Sequence, residues 1–188
     1  MAIGTNHVLP VIETERLLLR KITFKDAEDI YQYTSDPAVS QHVTWDPHHS
    51  LTDTKGYIHS ILQQYEMHRL APWGIQSKES NKLIGTIEFV SWQPLHKTAE
   101  IGYVLSQAYW NQGIITEAAQ SVIAFGFKEM NTVRIQARCL TENIGSQKVM
   151  EKTGMTFEGT IRKGLFVKGK HRDIHIYSIL REEFTEPT

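Results

Sequence analysis

The chain has a single cysteine, Cys139, among its 188 residues. One cysteine cannot close an internal disulfide, and its isolation suits a reducing compartment. A nucleophilic cysteine needs an activating histidine or helix end, so Cys139 reads as a small strand residue. No stretch approaches the roughly 18 uncharged apolar residues of a membrane-crossing helix. The start, "MAIGTNHVLP", lacks the charged end and apolar run of a signal peptide. A soluble, cytoplasmic protein with no membrane partner is the expectation. There is no basic block and the formal net charge is −1, which argues against nucleic acid as the main partner. A local basic patch for a phosphate-bearing small molecule is still compatible with that balance. Internal repeats, low-complexity tracts and linkers are also missing.

What is present suits one domain spanning 1–188, with 1–12 as a flexible or extended arm. Hydrophobic residues make up 40% and charged residues 22%, near ordinary globular values. A chain of this size buries roughly 70% of its unfolded surface and needs no disulfide or metal to hold it. "RLLLRKI" is a short apolar strand. "TFKDAEDIYQYTSD" opens with a capping pattern, Thr23 and Asp26, and continues as a helix closed by Pro37. From Asp53, the positions Tyr57, Ile58, Ile61, Leu62 and Tyr65 recur at helical spacing, predicting a helix to about Arg69. "APWGIQS", "KLIGTIEFVSW" and "AEIGYVL" are short runs rich in Ile, Val and aromatics, separated by the polar turns "KESN" and "QPLHKT", as in an antiparallel meander. A helix from Ile114 to Met130 buries Ala118, Val122, Ile123 and Phe125. "TVRIQARCL" alternates, with Val133, Ile135, Ala137 and Cys139 facing one way. A short helix follows, with Asn143 near its start and Gly154 beyond its end. The tail forms a hairpin turning at Lys168-Gly169, with Ile174, Ile176 and Ser178 on one face. This order predicts an α+β fold around one largely antiparallel sheet.

Two stretches carry a chemical signal. In "YWNQGIITEA" a strand leads through one glycine into a helix. The first N–H groups of a helix have no internal partner, and the helix dipole places partial positive charge there. Such a turn suits a pyrophosphate, but taken alone the stretch reads more readily as an ordinary strand-to-helix connection. It is not a P-loop, because the Lys-Ser/Thr pair is missing, and Gly-x-Gly-x-x-Gly is absent. In "TENIGSQKVMEKTGM", Asn143 and Ser146 lie about one helical turn apart on the same face. Asn143 is also a favoured helix N-cap.

Taken in order, "AEIGYVLSQAYWNQGIITEA", "NIGSQKVMEKTGM" and "RKGLFVKGKHRDIHIYSIL" resemble the GNAT superfamily of acyl-CoA-dependent N-acetyltransferases. With "ETERLLLRKITFKDAEDIYQYTSDP" the resemblance spans nearly the whole chain and is nearest the branch that acetylates N-termini of ribosomal proteins. It implies a single-domain fold with helices on both sheet faces and a splayed central strand pair. It implies acetyl-CoA as co-substrate, an amine acceptor as partner, and a monomer or homodimer. The family's pyrophosphate loop falls on Trp110, Asn111, Gln112, Gly113, Ile114 and Ile115, with Thr116 completing the first helical turn. Trp110 stands where a basic or amide residue is usual, and Ile115 where a small one is. The pantetheine arm would lie between the strand ending Val104-Leu105 and the strand "VRIQARC", with Asn143 hydrogen-bonded to it. The branch's thiolate-protonating serine falls on Ser146. In other branches that role belongs to a tyrosine further along the same helix, where this chain has Met150.

The chemistry sets the remaining expectations. A neutral amine attacks the thioester, and a backbone N–H near Leu105 would stabilise the oxyanion. Glu100, opening the central strand, is the first choice of general base, acting through a water, and Glu88 is the second. The glutamate that the branch sometimes carries on the last hairpin is replaced by Leu165. His42, His48 and His49 flank Trp45 and Asp46 without a metal-ligand spacing, and thioester acyl transfer needs no Lewis acid, so no metal is expected. That loop is expected to line the acceptor site. The acceptor is read as a protein or peptide α-amine. A small amine such as an amino acid, polyamine or antibiotic is the alternative, and a non-catalytic acyl-CoA-binding module is a further one.

Overall fold

A computed structural model describes residues 9–185; most of the expected N-terminal arm, residues 1–8, lies outside the described residues. The chain forms α+β architecture around one eight-stranded sheet of order β1-β2-β3-β4-β5-β6-β8-β7. The strands are β1 (Ile12–Glu13), β2 (Leu17–Arg20), β3 (Trp73–Ser77), β4 (Leu83–Gln93), β5 (Thr98–Leu105), β6 (Arg134–Leu140), β7 (Thr156–Val167) and β8 (Lys170–Leu180). The helices are α1 (Ala27–Thr34), α2 (Pro37–Ser40), α3 (Leu51–Glu66), α4 (Ile114–Lys128) and α5 (Ile144–Lys152).

The local signals explain most boundaries. The Asp26 carboxylate accepts from the Thr23 N–H at 2.8 Å and pairs with Arg20 at 2.7 Å, anchoring the entry to α1. Pro37 does not simply end that helix. It opens the one-turn α2, with Asp36 as its cap accepting from Ala38 N–H at 2.9 Å, because proline suits the first helical position. Helix α3 begins at Leu51, two residues before the expected Asp53, since Ser50 and Asp53 form a reciprocal capping box. It ends at Glu66, short of Arg69. Gly154, with φ 85°, takes the left-handed position that stops α5.

Helices cover both sheet faces. One face packs Ile101, Leu105, Ile135 and Ala137 against Ala118, Ala119, Val122 and Ile123 of α4 and Met150 of α5. Phe125 is only half-buried, set among Trp73 and Phe89 at ring separations of 5.6 and 6.5 Å, and Phe127 is the buried aromatic instead. Val133 precedes β6 and is exposed, while Ile135, Ala137 and Cys139 are buried as expected. The other face packs Ile30, Tyr33, Ile58 and Ile61 of α1 and α3 on Ile22 and Leu83.

Every neighbouring pair of strands is antiparallel except β5 and β6, which run parallel and are joined through α4. Their ladder covers only Thr98–Ile101 against Arg134–Ala137. Beyond it, β5 continues to pair with β4 as far as Leu105, and β6 with β8 as far as Leu140. Each strand is thus bonded on its outer side while the inner sides separate. The sheet opens at its centre without leaving either strand unsupported.

Candidate active site

The mouth of this opening is the loop that leads into α4. Asn111 and Gly113 take left-handed backbone at φ 60° and 75°. Such alternation turns successive N–H groups toward one side and makes a concave anion cradle. The first bond closing α4 runs from Glu117 N–H to the Gly113 carbonyl, at 3.0 Å. The N–H groups of Ile114, Ile115 and Thr116 therefore have no intrahelical partner. Ile114 and Ile115 turn their side chains into the core, so the bulk of Ile115 points away from this surface. The left-handed φ of Gly113 is one a side chain would strain.

Arg16 braces the loop from the N-terminal strands. Its Nη1 donates to the Gln112 carbonyl at 2.9 Å, and its Nε to Glu117 Oε2 at 2.6 Å. Glu117 Oε1 also accepts from the Arg16 N–H at 2.9 Å and from Thr14 Oγ1 at 2.6 Å. Burial alone would raise the Glu117 carboxyl, but these hydrogen bonds from Thr14 and Arg16 hold it below the ordinary range. A carboxylate in the first turn of α4 is thereby tied down, and does not compete for the free N–H groups.

Inside the opening, Leu105 is positioned by the ladder. The Ser106 N–H donates to the Ile84 carbonyl at 2.8 Å. Neighbouring residues of an antiparallel pair alternate between bonded and non-bonded positions, so Leu105 turns its own N–H and C=O away from β4, toward β6. Its carbonyl accepts from Trp110 Nε1 at 2.9 Å; the indole at the unusual loop position ties the loop to the strand. On the α5 side, Asn143 Oδ1 caps the helix by accepting from Ser146 N–H at 3.0 Å. Its amide nitrogen is left to donate.

Ser146 Oγ lies 2.8 Å from the hydroxyl of Tyr103, which spans from β5. Burial raises the Tyr103 phenol far above its usual value, so it stays protonated across the working pH range. Tyr103 stands on the facing strand, not along α5 where the sequence pattern has Met150. A signal was available: in "AEIGYVL", Tyr103 alternates with Ala99 and Ile101 and so shares their face toward the helices.

The two candidate carboxylates sit in different surroundings. Glu100, the first choice of base, is only 7% exposed. Its Oε1 takes Arg138 Nε at 2.7 Å and its Oε2 takes Gln136 Nε2 at 2.8 Å. Both oxygens are committed to side chains of β6, which leaves neither open to an incoming amine. Glu88, the second choice, has no ion partner among the described residues. It faces Gly102 across β4–β5, and burial alone raises its carboxyl above the ordinary value. That environment is the kind in which a carboxyl accepts a proton readily.

The loop carrying the histidines lines the same side. Trp45 and His48 border a cavity with Tyr57, Thr86 and Val104, two residues along β4 from Glu88. His48 Nδ1 is engaged by Thr54 Oγ1 at 2.8 Å. No group of three or more His, Cys, Asp or Glu is placed to hold a metal ion among the described residues. Cys139 is buried, which pushes its thiol up to about 11, as an inert strand residue would be. Among the described residues no helix is long and apolar enough to cross a membrane.

The chain is similar to known proteins in sequence and in fold. The family model described as "Acetyltransferase (GNAT) domain" matches residues 16–156. "Uncharacterized N-acetyltransferase YnaD" of Bacillus subtilis (strain 168) is 37% identical over 175 residues, covering 92% of this chain and 98% of that protein. The "Ribosomal-protein-serine acetyltransferase" of Escherichia coli (strain K12) is 33% identical over 100 residues, covering 53% of this chain and 56% of that protein. A crystal structure of an acetyltransferase (GNAT family) from Bacillus anthracis matches with TM-score 0.82 at 36% identity, over 93% of this chain and all (100%) of that one.

Proposed function

This chain belongs to the GNAT family of acetyl-CoA-dependent N-acetyltransferases, and on that premise we propose that it acetylates the α-amine of a protein or peptide N-terminus. The observation that carries the reading is the opening between β5 and β6, with the cradle of Asn111–Thr116 at its mouth. An extended pantetheine arm fits between strands whose inner edges offer free backbone groups. The pyrophosphate then meets the N–H groups at the start of α4.

In the reading we propose, each step falls to a named group. The amine attacks the thioester carbonyl from the Glu88 side, and the oxyanion forms against the Leu105 N–H. The C–S bond breaks, the departing thiolate takes a hydrogen bond and then the proton of the Ser146 hydroxyl, and that hydroxyl is reprotonated through solvent as Glu88 releases the proton it takes. Glu88 takes the proton that the amine nitrogen sheds.

The acceptor class follows from proton affinity. An α-amine has pKa about 7.7–8.0 and a lysine about 10.4, so at neutral pH deprotonation costs about 1 kcal/mol for the first and more than about 4 for the second. A partly buried carboxyl without an ion partner among the described residues matches the easier task. A net charge of −1 offers little long-range steering for a polycation. The name of the Escherichia coli relative, which specifies a ribosomal protein serine, points the same way.

The test is a matched peptide panel scored by fragment-ion mass spectrometry. Peptides with a free Ala or Ser N-terminus should be labelled on the α-amine, and blocked peptides with a free lysine should be poor substrates. Preferential labelling of lysine, or of free polyamine over every peptide, would sink the α-amine reading. The cofactor site is tested separately. Gly113→Val places a β-branched residue in left-handed backbone at the cradle and should weaken CoA binding at least about tenfold, since charge-assisted hydrogen bonds are worth roughly 1.5–3 kcal/mol each. Calorimetry on the folded variant showing unchanged affinity would remove the pyrophosphate assignment.

A further inference from the structure

The face of the sheet that carries Glu88 also holds a cavity of about 130 Å³, lined by Tyr33, Trp45, His48, Tyr57, Thr86 and Val104. We infer that it receives the side chain of the acceptor's first residue, and that the Tyr33 hydroxyl selects a short, uncharged side chain able to hydrogen-bond. This rests on the α-amine reading above and goes beyond it, by naming a specificity-determining residue.

The first support is an unpaired group. Tyr33 is 3% exposed, and its hydroxyl has no hydrogen-bond partner. The large majority of buried side-chain polar atoms are paired, and an exception calls for a reason. Three neighbouring polar side chains around the cavity are already engaged. His48 Nδ1 meets Thr54 at 2.8 Å, Thr34 Oγ1 donates to the Ile30 carbonyl at 2.8 Å, and the Tyr57 hydroxyl pairs with Thr86. The Tyr33 hydroxyl, buried and unpaired, keeps its capacity for an incoming group.

Position is the second support. Thr86 and Glu88 point to the same face of β4, about 7 Å apart along the strand. Val104, opposite Thr86, lies between Tyr103 and Leu105, the residues that look into the opening from the other face. An acceptor residue whose amine reaches Glu88 therefore brings its side chain over the cavity.

The walls set the selectivity. Trp45 and Val104 are apolar, and no lysine, arginine, aspartate or glutamate lines the space. A charged side chain would be desolvated without a counter-charge and rejected. The volume is close to that of an engineered cavity of about 150 Å³ that admits one benzene, so it holds one side chain, and a branched one such as leucine fills it against Trp45. A hydroxyl-bearing side chain satisfies Tyr33, whereas a methyl leaves it unpaired.

The experiment compares kcat/KM for peptides identical except at the first residue, Ser, Ala, Asp or Leu, in the wild type, Tyr33→Phe and Trp45→Ala. The wild type should prefer Ser over Ala by about tenfold, the effect of one buried hydrogen bond. Tyr33→Phe should bring that ratio to within about twofold by lowering the Ser rate and leaving the Ala rate unchanged. Its melting temperature should be equal or higher, because an unpaired buried hydroxyl is removed. Trp45→Ala, which truncates a half-exposed wall, should raise the Leu rate at least about fivefold. A Ser/Ala ratio unchanged in Tyr33→Phe, with both peptides still acetylated, overturns this inference and leaves the α-amine reading intact. Absence of α-amine acetylation from every peptide, with other amines acetylated, overturns both.

Discussion

Ser146→Ala is expected to lower kcat by about 10²–10⁴, the range for loss of a general acid, with CoA affinity nearly unchanged. The substitution is clean for a structural reason. Asn143 caps α5 through the Ser146 backbone N–H at 3.0 Å, and alanine retains that N–H. Only the hydroxyl is lost, and that hydroxyl stands 2.8 Å from the Tyr103 phenol. In the arrangement that serves the thiolate, Tyr103 donates to Ser146 Oγ and leaves the serine hydrogen free to point at sulfur. A thiolate related to a free cysteine, with pKa about 8.5, is a poor enough leaving group to need that hydrogen. Tyr103→Phe should then cost roughly tenfold, about the 1.4 kcal/mol of one hydrogen bond. The double variant should be little worse than Ser146→Ala, since groups acting as one unit are not additive. Thiol release followed spectroscopically, with CoA affinity from calorimetry, measures all three. Turnover of Ser146→Ala within about threefold of the parent would reduce Ser146 to a helix-surface residue.

How much of this was legible in the sequence depended on whether its cause was local. The capping pair Thr23 and Asp26, the helix stop at Gly154 and the hairpin turn at Lys168-Gly169 all involve residues a few positions apart, and each stands where the sequence placed it. The loop from Trp110 to Thr116 was legible for the same reason. What was not legible lies where distant segments meet. Glu100 reads as a strand-opening carboxylate free in solution. The parallel register instead delivers Gln136 and Arg138, 36 and 38 residues further on, to its two oxygens. Nothing within "TAEIGYVL" announces that. Glu88 owes its isolation to burial on the face under α1 and α3, which alternation in "GTIEFVSW" only hints at. Arg16 meets Gln112 and Glu117 across 96 and 101 residues, a contact set by the sheet and α4 together. The short β1 and α2 were missed because two and four residues leave no periodicity to read.

Those non-local contacts decide the last expectation, in which the two glutamates part company. Glu88→Gln should lower kcat/KM about a hundredfold at pH 7, within the usual range for a general base, without lowering stability. The ordinary glutamate value is 4.5, and burial raises it for Glu88 in the folded protein. A raised carboxyl binds more protons folded than unfolded, so its contribution to stability falls as pH rises through the interval above 4.5. At pH 7 the wild type therefore bears the cost of a buried charge that glutamine does not carry, and the variant should melt at an equal or higher temperature. Lost activity with retained or improved stability is the mark of a group kept for chemistry. The loss should shrink toward pH 9, where an α-amine of pKa about 8 is already neutral. Glu100→Gln should behave in the opposite way. It removes the charge facing Arg138 at 2.7 Å, so the melting temperature should fall while the pH profile keeps its shape. Thermal melts and pH–rate profiles of both variants on one α-amine peptide make the comparison. A Glu88→Gln enzyme with parental kcat/KM at pH 7, or a Glu100→Gln enzyme that stays as stable as the parent but loses about a hundredfold in rate, would return the base to Glu100.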